Sequence, residues 1–341
     1  MALIETEEEL EERLSLPSDA DTAAMAGLEG DLLVLGAGGK MGPSLVRLAR
    51  RAADKAGVAK RILAVARFTD RDLAAQLESR GIETIAADLL GPGTLQKLPD
   101  APNVIFMAAR KFGTTGSEHL TWAMNTYLPG LVAERYRRSR IVTFSTGNVY
   151  PLSPVTEGGS LESTPADPAG EYAQSVLGRE RMFEYASSRW GTPVTILRLN
   201  YAIDLRYGVL LDLGRTVFER RPVDLRMGMV NVIWQGDANS VCLRSFALCA
   251  SPPEILNVTG PETLSVRSIA TQFGVHFGVE PLFAGVEAAT ALLSNAAKAH
   301  RIFGYPAVTV GEMIEWTANW IRLGGGTHDK PTHFSVRDGK F

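Results

Sequence analysis

Cysteine is scarce: Cys242 and Cys249 are the only two in 341 residues. Their seven-residue spacing in an apolar, helix-like stretch predicts a shared buried face and no disulfide, which excludes a disulfide scaffold. Positive charge is not in excess either. Thirty-five Lys and Arg against 38 Asp and Glu leave a net charge of −3, so the electrostatic footprint of a nucleic-acid binder is missing. No apolar run reaches the length of a membrane-spanning helix. The first dozen residues are acidic and lack the basic and apolar regions of a secretion signal, so a cytoplasmic setting is expected. The five histidines (119, 276, 300, 328, 333) have no metal-ligand spacing, and no metal is expected. His328 and His333 are expected to be solvated. No internal repeat and no low-complexity segment is found.

Apolar residues make up 45% and charged residues 21% of the chain, the composition of an ordinary globular protein. The length allows one large domain or two lobes around a shared core. One stretch organises the rest: Asp31-Leu-Leu-Val-Leu-Gly-Ala-Gly-Gly-Lys-Met-Gly42. Asp31 to Leu35 predicts a short strand, and Pro43 to Ala53 has helical periodicity through Leu45, Val46, Leu48, Ala49 and Ala52. Between them Gly36, Gly39 and Gly42 stand three apart. A strand, a glycine turn and a helix begin a βαβ nucleotide site. Gly36 allows the sharp turn, Gly39 lets backbone approach a pyrophosphate, and Gly42 lets helix and strand pack closely. The helix N-terminus offers its unpaired N–H groups to the phosphates. The spacing is G-x-x-G-x-x-G and not G-x-G-x-x-G, because position 41 is Met.

Two short helices, Thr6 to Leu14 and Asp19 to Leu28, are predicted before this site, in an extension (1–29) suited to packing or dimer contact. Further strands are predicted at Arg61–Ala66, Glu83–Ala87, Asn103–Ala108, Arg140–Ser145 and Val194–Leu199. Helices are predicted at Asp70–Arg80, Ser117–Arg138 and Gly170–Arg189. This alternation predicts an α/β fold with a doubly wound, Rossmann-type parallel sheet over residues 30–200. The segment 237–260 is expected to return to it, with Asp237 capping a helix that runs to Cys249 and Leu256–Thr259 rejoining the sheet. Asn231–Trp234 predicts a strand, and Val266–Phe277, Val286–Ile302 and Val310–Leu323 predict helices. Residues 201–236 and 261–325 then form a smaller C-terminal, substrate-binding lobe. The tail, glycine-rich and then basic, is expected on the surface or on a neighbouring subunit. Tyr150–Gly170, rich in Pro, Gly, Ser and Glu, reads as a long functional loop.

Four elements in order carry a family resemblance: Gly36-x-x-Gly39-x-x-Gly42, Asp88-Leu89, Phe144-Ser-Thr-Gly-Asn-Val-Tyr150 and Tyr172-Ala-Gln-Ser175. With the weaker Arg198-Leu-Asn200, Gly236-Asp-Ala238 and Asn257-Val-Thr-Gly260, the chain resembles the extended short-chain dehydrogenases/reductases of the epimerase/dehydratase group. The resemblance implies that Tyr172 is the acid/base, passing a proton while hydride moves to or from a nicotinamide. It implies that Thr146 hydrogen-bonds the reacting substrate oxygen. It also implies a cofactor cradle of Gly36, Gly38, Gly39, Lys40, Met41, Gly42, Arg67, Asp88, Leu89, Ala108 and Lys111.

Two departures stand out. The family lysine one helical turn after the tyrosine is Val176 here, and no lysine occurs between Lys111 and Lys298. A valine can neither bind a ribose nor lower the tyrosine's pKa by charge. Arg179, two turns on, is expected to reach too far, and Lys111 is the better substitute. The arginine that reads a diphosphate in nucleotide-sugar members corresponds to Val230. Asn200, Tyr201, Arg206, Trp234 and Gln235 remain as polar wall residues, which suits a free sugar or sugar acid. Arg206 is available to grip a carboxylate or to form an ordinary ion pair. At the end of the second strand, Arg67 replaces the acidic residue of NAD-dependent relatives and suits a 2′-phosphate, favouring NADP over NAD.

The reading is an NAD(P)-dependent oxidoreductase or epimerase acting on a small sugar-like molecule, working as a homodimer. Two alternatives stay open: a cofactor-binding sensor or scaffold with little turnover, and a lyase or isomerase that retains its cofactor.

Overall fold

The computed structural model describes residues 3–111, 113, 116–330 and 332–339. Phe112, in the segment expected to follow the fourth strand, lies outside them, as do Met1 and Ala2 of the extension and Pro331, Lys340 and Phe341 of the tail.

Seven parallel strands form the central sheet: β1 Leu32–Leu35, β2 Ile62–Ala66, β3 Glu83–Ala86, β4 Asn103–Phe106, β5 Arg140–Thr146, β6 Val194–Leu199 and β7 Glu254–Val258. Their spatial order is 7-6-5-4-1-2-3. Winding therefore reverses between β1 and β4, and the crevice outside their carboxyl ends is where such sheets bind ligands. Strand β1 shows why the sheet is sandwiched. Leu32 and Val34 enter one buried cluster with Leu45, Val46 and Ala49, while Leu33 and Leu35 enter another with Phe106, Val132 and Phe183. A strand buried on both faces reads as a continuous apolar run.

A third cluster belongs to the smaller lobe, where Leu205, Leu210, Val230, Phe273, Trp316 and Trp320 pack together. The N-terminal extension ties this lobe to the sheet. Helices α1 (Glu7–Leu14) and α2 (Asp19–Gly27) each begin with a capping box, at Thr6 and Ser18. Leu10 and Leu14 enter the third cluster and Met25 the first. Glu11 joins two arginines, Arg47 and Arg206, at 2.7 Å each.

The remaining helices that frame the site are α3 (Gly42–Lys55), α4 (Arg71–Glu78), α5 (Gly170–Trp190), α6 (Val209–Phe218), α7 (Gln235–Arg244), α8 (Val266–Phe277) and α9 (Val310–Arg322). The expected helix over 117–138 is present as Glu118–Trp122 and Leu128–Arg135, with a π-helical turn, Ala123–Tyr127, between them.

Four expectations are corrected. Helix α7 stops at Arg244 and a 3₁₀ turn, Ser245–Leu248, follows, so Cys249 lies beyond the helix that carries Cys242; both are free thiols. Asp237 does not cap α7; its Oδ2 accepts from the Val308 N–H instead. The helix expected over 286–302 covers only Ala297–Phe303, because Thr290–Ala291 pairs with Ser153–Pro154 and Ser294 bridges to Ser160. Tertiary pairing overrides an alanine-rich helix propensity there. The segment after α9 folds back onto its own chain, burying Thr332 and Phe334.

Candidate active site at the carboxyl edge of the sheet

The glycine turn leaves β1 with Gly36 at φ +95°, a conformation that an L side chain rarely adopts. A Cβ on Gly36 would lie 2.5 Å from the Ala108 N, and one on Gly42 would lie 2.2 Å from the Ala37 O. Both glycines are therefore needed by the fold itself. Gly39 differs: its nearest neighbour would be the Gly36 O at 3.4 Å, and it and Gly38 are exposed. The turn thus presents open backbone at the switch point. No side chain caps α3 at Met41, which leaves its N-terminal end open to an anion. Arg67 and Asp88, just past β2 and β3, are exposed on the same edge, while Leu89 is buried. These residues fit a dinucleotide.

Lys40 stands on the turn, yet its ammonium donates to the Ala202 O at 3.0 Å and lies 4.0 Å from the Tyr207 ring centre. It tethers the turn to the smaller lobe. Burial pulls its pKa down to about 7 against the favourable charge of Asp204.

Tyr172 sits in the first turn of α5, half-buried, where the Thr146 side chain at the end of β5 acts on its phenol. Burial raises the phenol's pKa, and the Arg179 charge and the Thr146 side chain pull it back. The sequence expectation for Arg179 is thus corrected. Positions 172, 175, 176 and 179 share one helix face, and helical side chains lean toward the N-terminus. The Arg179 guanidinium, 2% exposed, donates to the carbonyls of Phe144 at 2.7 Å, Ala108 at 2.9 Å and Asn125 at 3.4 Å. Burial brings its pKa down to about 10 while Tyr172 and Glu180 oppose that shift. Lys111 is also present, its Nζ 5.9 Å from the Tyr172 ring centre; burial lowers its pKa to about 8. Val176 is buried.

Asn125, which sequence reasoning missed, lies in the π turn and is fully buried. It accepts from the Arg110 N–H and donates to the Arg110 O, both at 2.9 Å, and donates to Ser175 Oγ at 3.0 Å. It holds the Lys111 segment against α5. An asparagine in the middle of a predicted helix was the available signal, because its side chain competes with helical hydrogen bonding. Behind Tyr172, Glu180 pairs with Arg198 at 2.7 Å, both buried, and Arg198 also donates to Tyr150 Oη at 2.7 Å.

Two predicted substrate residues are placed elsewhere. Arg206 is held by Asp204 at 2.8 Å and Glu11 at 2.7 Å, so its fork is already filled by the chain's own carboxylates. Trp234 is 1% exposed and meets Trp316 edge-on at 5.4 Å, in the core of the smaller lobe. Asn200 remains at the site: a Cβ on Gly147, beside Thr146, would lie 3.2 Å from its side chain.

Residues 32–202 match the model of the NAD dependent epimerase/dehydratase family. No curated protein matches the chain. Solved structures of similar fold include dTDP-glucose 4,6-dehydratase DesIV from Streptomyces venezuelae with NAD and TYD bound, at TM-score 0.72 and 19% identity over 86% of this chain and 97% of that one. UDP-glucuronic acid 4-epimerase from Bacillus cereus, in complex with UDP-glucuronic acid and NAD, aligns at TM-score 0.69 and 18% identity over 86% and 99%. UDP-glucose 4-epimerase with UDP-glucose from Thermotoga maritima aligns at TM-score 0.69 and 14% identity over 86% and 98%. Likeness at such identities shows the fold. Sheet order, glycine turn and matched residues together make the chain a member of the NAD-dependent epimerase/dehydratase family, within the extended short-chain dehydrogenases/reductases.

Proposed function

We propose that the chain is an NAD(P)-dependent oxidoreductase or epimerase acting on a sugar or sugar-acid-like substrate. The observation that carries this reading is the placement of Tyr172, in the first turn of α5, with the Thr146 side chain at the carboxyl edge of β5 and the buried Arg179 charge both acting on its phenol. In this reading residues 30–200, with 237–260 returning to them, hold the cofactor, and residues 201–236 and 261–325 hold the substrate. When bound, the nicotinamide supplies the hydride acceptor or donor. Tyr172 holds the proton exchanged with the reacting substrate oxygen, and Thr146 orients that oxygen. Arg179 supplies a fixed positive charge in place of the family lysine, and Lys111 stands beside the phenol ring. The open backbone of Gly38 and Gly39, with the α3 N-terminus, receives the pyrophosphate. Arg67 receives a 2′-phosphate, which favours NADP.

A second reading, a cofactor-binding sensor with little turnover, is favoured by one observation, the buried Val176 in the lysine position.

Calorimetric titration of the protein and its Arg67→Asp variant with NADP and NAD tests the cofactor half of the reading. The expected result is binding of both, NADP more tightly, with the variant losing more NADP affinity than NAD affinity. Equal losses would remove the 2′-phosphate assignment, and no binding of either would remove the function.

A further inference from the structure

The segment after α9 runs back across the edge of the candidate site. Its path is fixed by contacts on two sides. On the smaller lobe, the His328 N–H donates to the Arg206 O at 3.0 Å. Thr332 donates both its N–H (2.8 Å) and its hydroxyl (2.6 Å) to Asp212 Oδ2 on α6. Phe334 is buried in the third cluster, and Arg337 grips Thr290 through its carbonyl at 2.8 Å and its hydroxyl at 2.6 Å. On the sheet side, the Thr332 carbonyl accepts from Lys111 Nζ at 3.5 Å. Gly339 lies so close to the start of α5 that a Cβ on it would meet the Ala169 O at 2.2 Å. Ala169 and Gly170 open the helix that carries Tyr172.

The segment therefore joins the smaller lobe to the two elements that present Lys111 and Tyr172. Its grips are of unequal kind. Thr332, on Asp212, is 2% exposed, and burial raises the Asp212 pKa while the Thr332 hydroxyl and N–H oppose that shift. Arg337 is only half-buried and holds neutral oxygens. A strap held by a few hydrogen bonds and one buried ring can lift without unfolding the lobes, because such segments open locally.

From this geometry we infer that residues 327–330 and 332–339 are a strap over the substrate cleft which sets its size limit, admitting a small polar sugar or sugar acid and excluding a nucleotide-diphosphate sugar. This rests on the function proposed above and deepens it by naming the substrate class.

The test uses the full chain with NADP, a Thr332→Gly/Arg337→Ala variant that loosens both grips, and a chain stopped after Gly326. The probes are glucuronate and UDP-glucuronic acid, titrated by calorimetry. A second readout is the rate at which an amine-acylating reagent modifies Lys111, followed by peptide mass spectrometry. The strap predicts that the intact protein prefers glucuronate. It also predicts that loosening raises UDP-glucuronic acid affinity about tenfold or more relative to glucuronate and speeds Lys111 acylation. An intact protein that binds UDP-glucuronic acid more tightly than glucuronate overturns the size limit. Variants that change neither the affinity ratio nor the acylation rate overturn the strap. Loss of NADP binding by the intact protein is a different failure, because it removes the underlying function.

Discussion

Arg179 donates through Nη1 to the Phe144 carbonyl at 2.7 Å, two residues before Thr146. One buried guanidinium thus reaches from the middle of α5 to the end of β5, and its second nitrogen reaches the Ala108 O beyond β4. Those three elements carry Tyr172, Thr146 and the approach to Lys111. The same cation that lowers the phenol's pKa also fixes the strand ends on which the site is built. Position 176 is a buried valine, and the positive charge that bears on the phenol from this helix face is that of Arg179.

The two glycines of the turn should respond differently to substitution. Gly39→Val finds ordinary space in the protein, so thermal unfolding should change little while dinucleotide affinity is lost on calorimetry. Gly42→Ala places its Cβ 2.2 Å from the Ala37 O and should cost about 1–3 kcal/mol of stability. If Gly39→Val binds dinucleotide as the parent does, the pyrophosphate is not at this turn.

The buried pair behind the site gives a stability prediction. Glu180 is fully buried and Arg198 5% exposed, so removing one partner strands a charge. Arg198→Met should cost about 3–5 kcal/mol in denaturant unfolding. A double change, Arg198→Met with Glu180→Leu, should recover much of that loss. Equal losses in the single and double variants would mean that the pair is not what the core depends on.

Most of the sheet was legible in the sequence, because strands buried on both faces must be continuous apolar runs bounded by helix signals. The glycine turn was legible through its spacing, whereas Thr146 and Tyr172 were named only through the family resemblance. Arg179 was not legible, because residue 179 lies about 10 Å along the helix axis from residue 172, and that distance hides the backward lean of a long side chain. For Arg206 the sequence left a carboxylate grip and an ion pair equally open, because its partners, Asp204 and Glu11, come from a neighbouring turn and from the distant extension. The strap was hidden by composition: Gly324-Gly-Gly326 and the basic residues after it resemble a solvated tail, and only the fold shows Phe334 finding a core.

Lys40 gives a pH dependence of stability. Its pKa in the fold is about 7 against an ordinary value of 10.5, so between those values the unfolded chain binds the extra proton. Stability must then rise with pH across that window. Relative to Lys40→Met, which cannot titrate, the parent should gain stability as pH increases from about 7 toward 10. Chemical denaturation of both proteins across this range checks the sign. Parallel curves would mean that the ammonium keeps its ordinary pKa beside Ala202 and Tyr207.

The last prediction separates the two cations beside Tyr172. Arg179 lowers the phenol's pKa against the burial that raises it, so Arg179→Met should move the Tyr172 ionisation upward. Spectroscopic titration of tyrosinate, with Tyr172→Phe as the blank, reads this without a substrate. Arg179→Lys keeps a positive charge and should return the midpoint toward that of the parent, which a purely structural role for the guanidinium would not do. Lys111→Met should move the midpoint less, because the ammonium lies over the ring at 5.9 Å and its own pKa is already brought down to about 8. Once a substrate is in hand, Tyr172→Phe should lower turnover by about 10²–10⁴-fold with dinucleotide affinity unchanged. A larger shift from Lys111→Met than from Arg179→Met would transfer the lysine's role to Lys111. Wild-type turnover by Tyr172→Phe would end the case for Tyr172 as the acid/base.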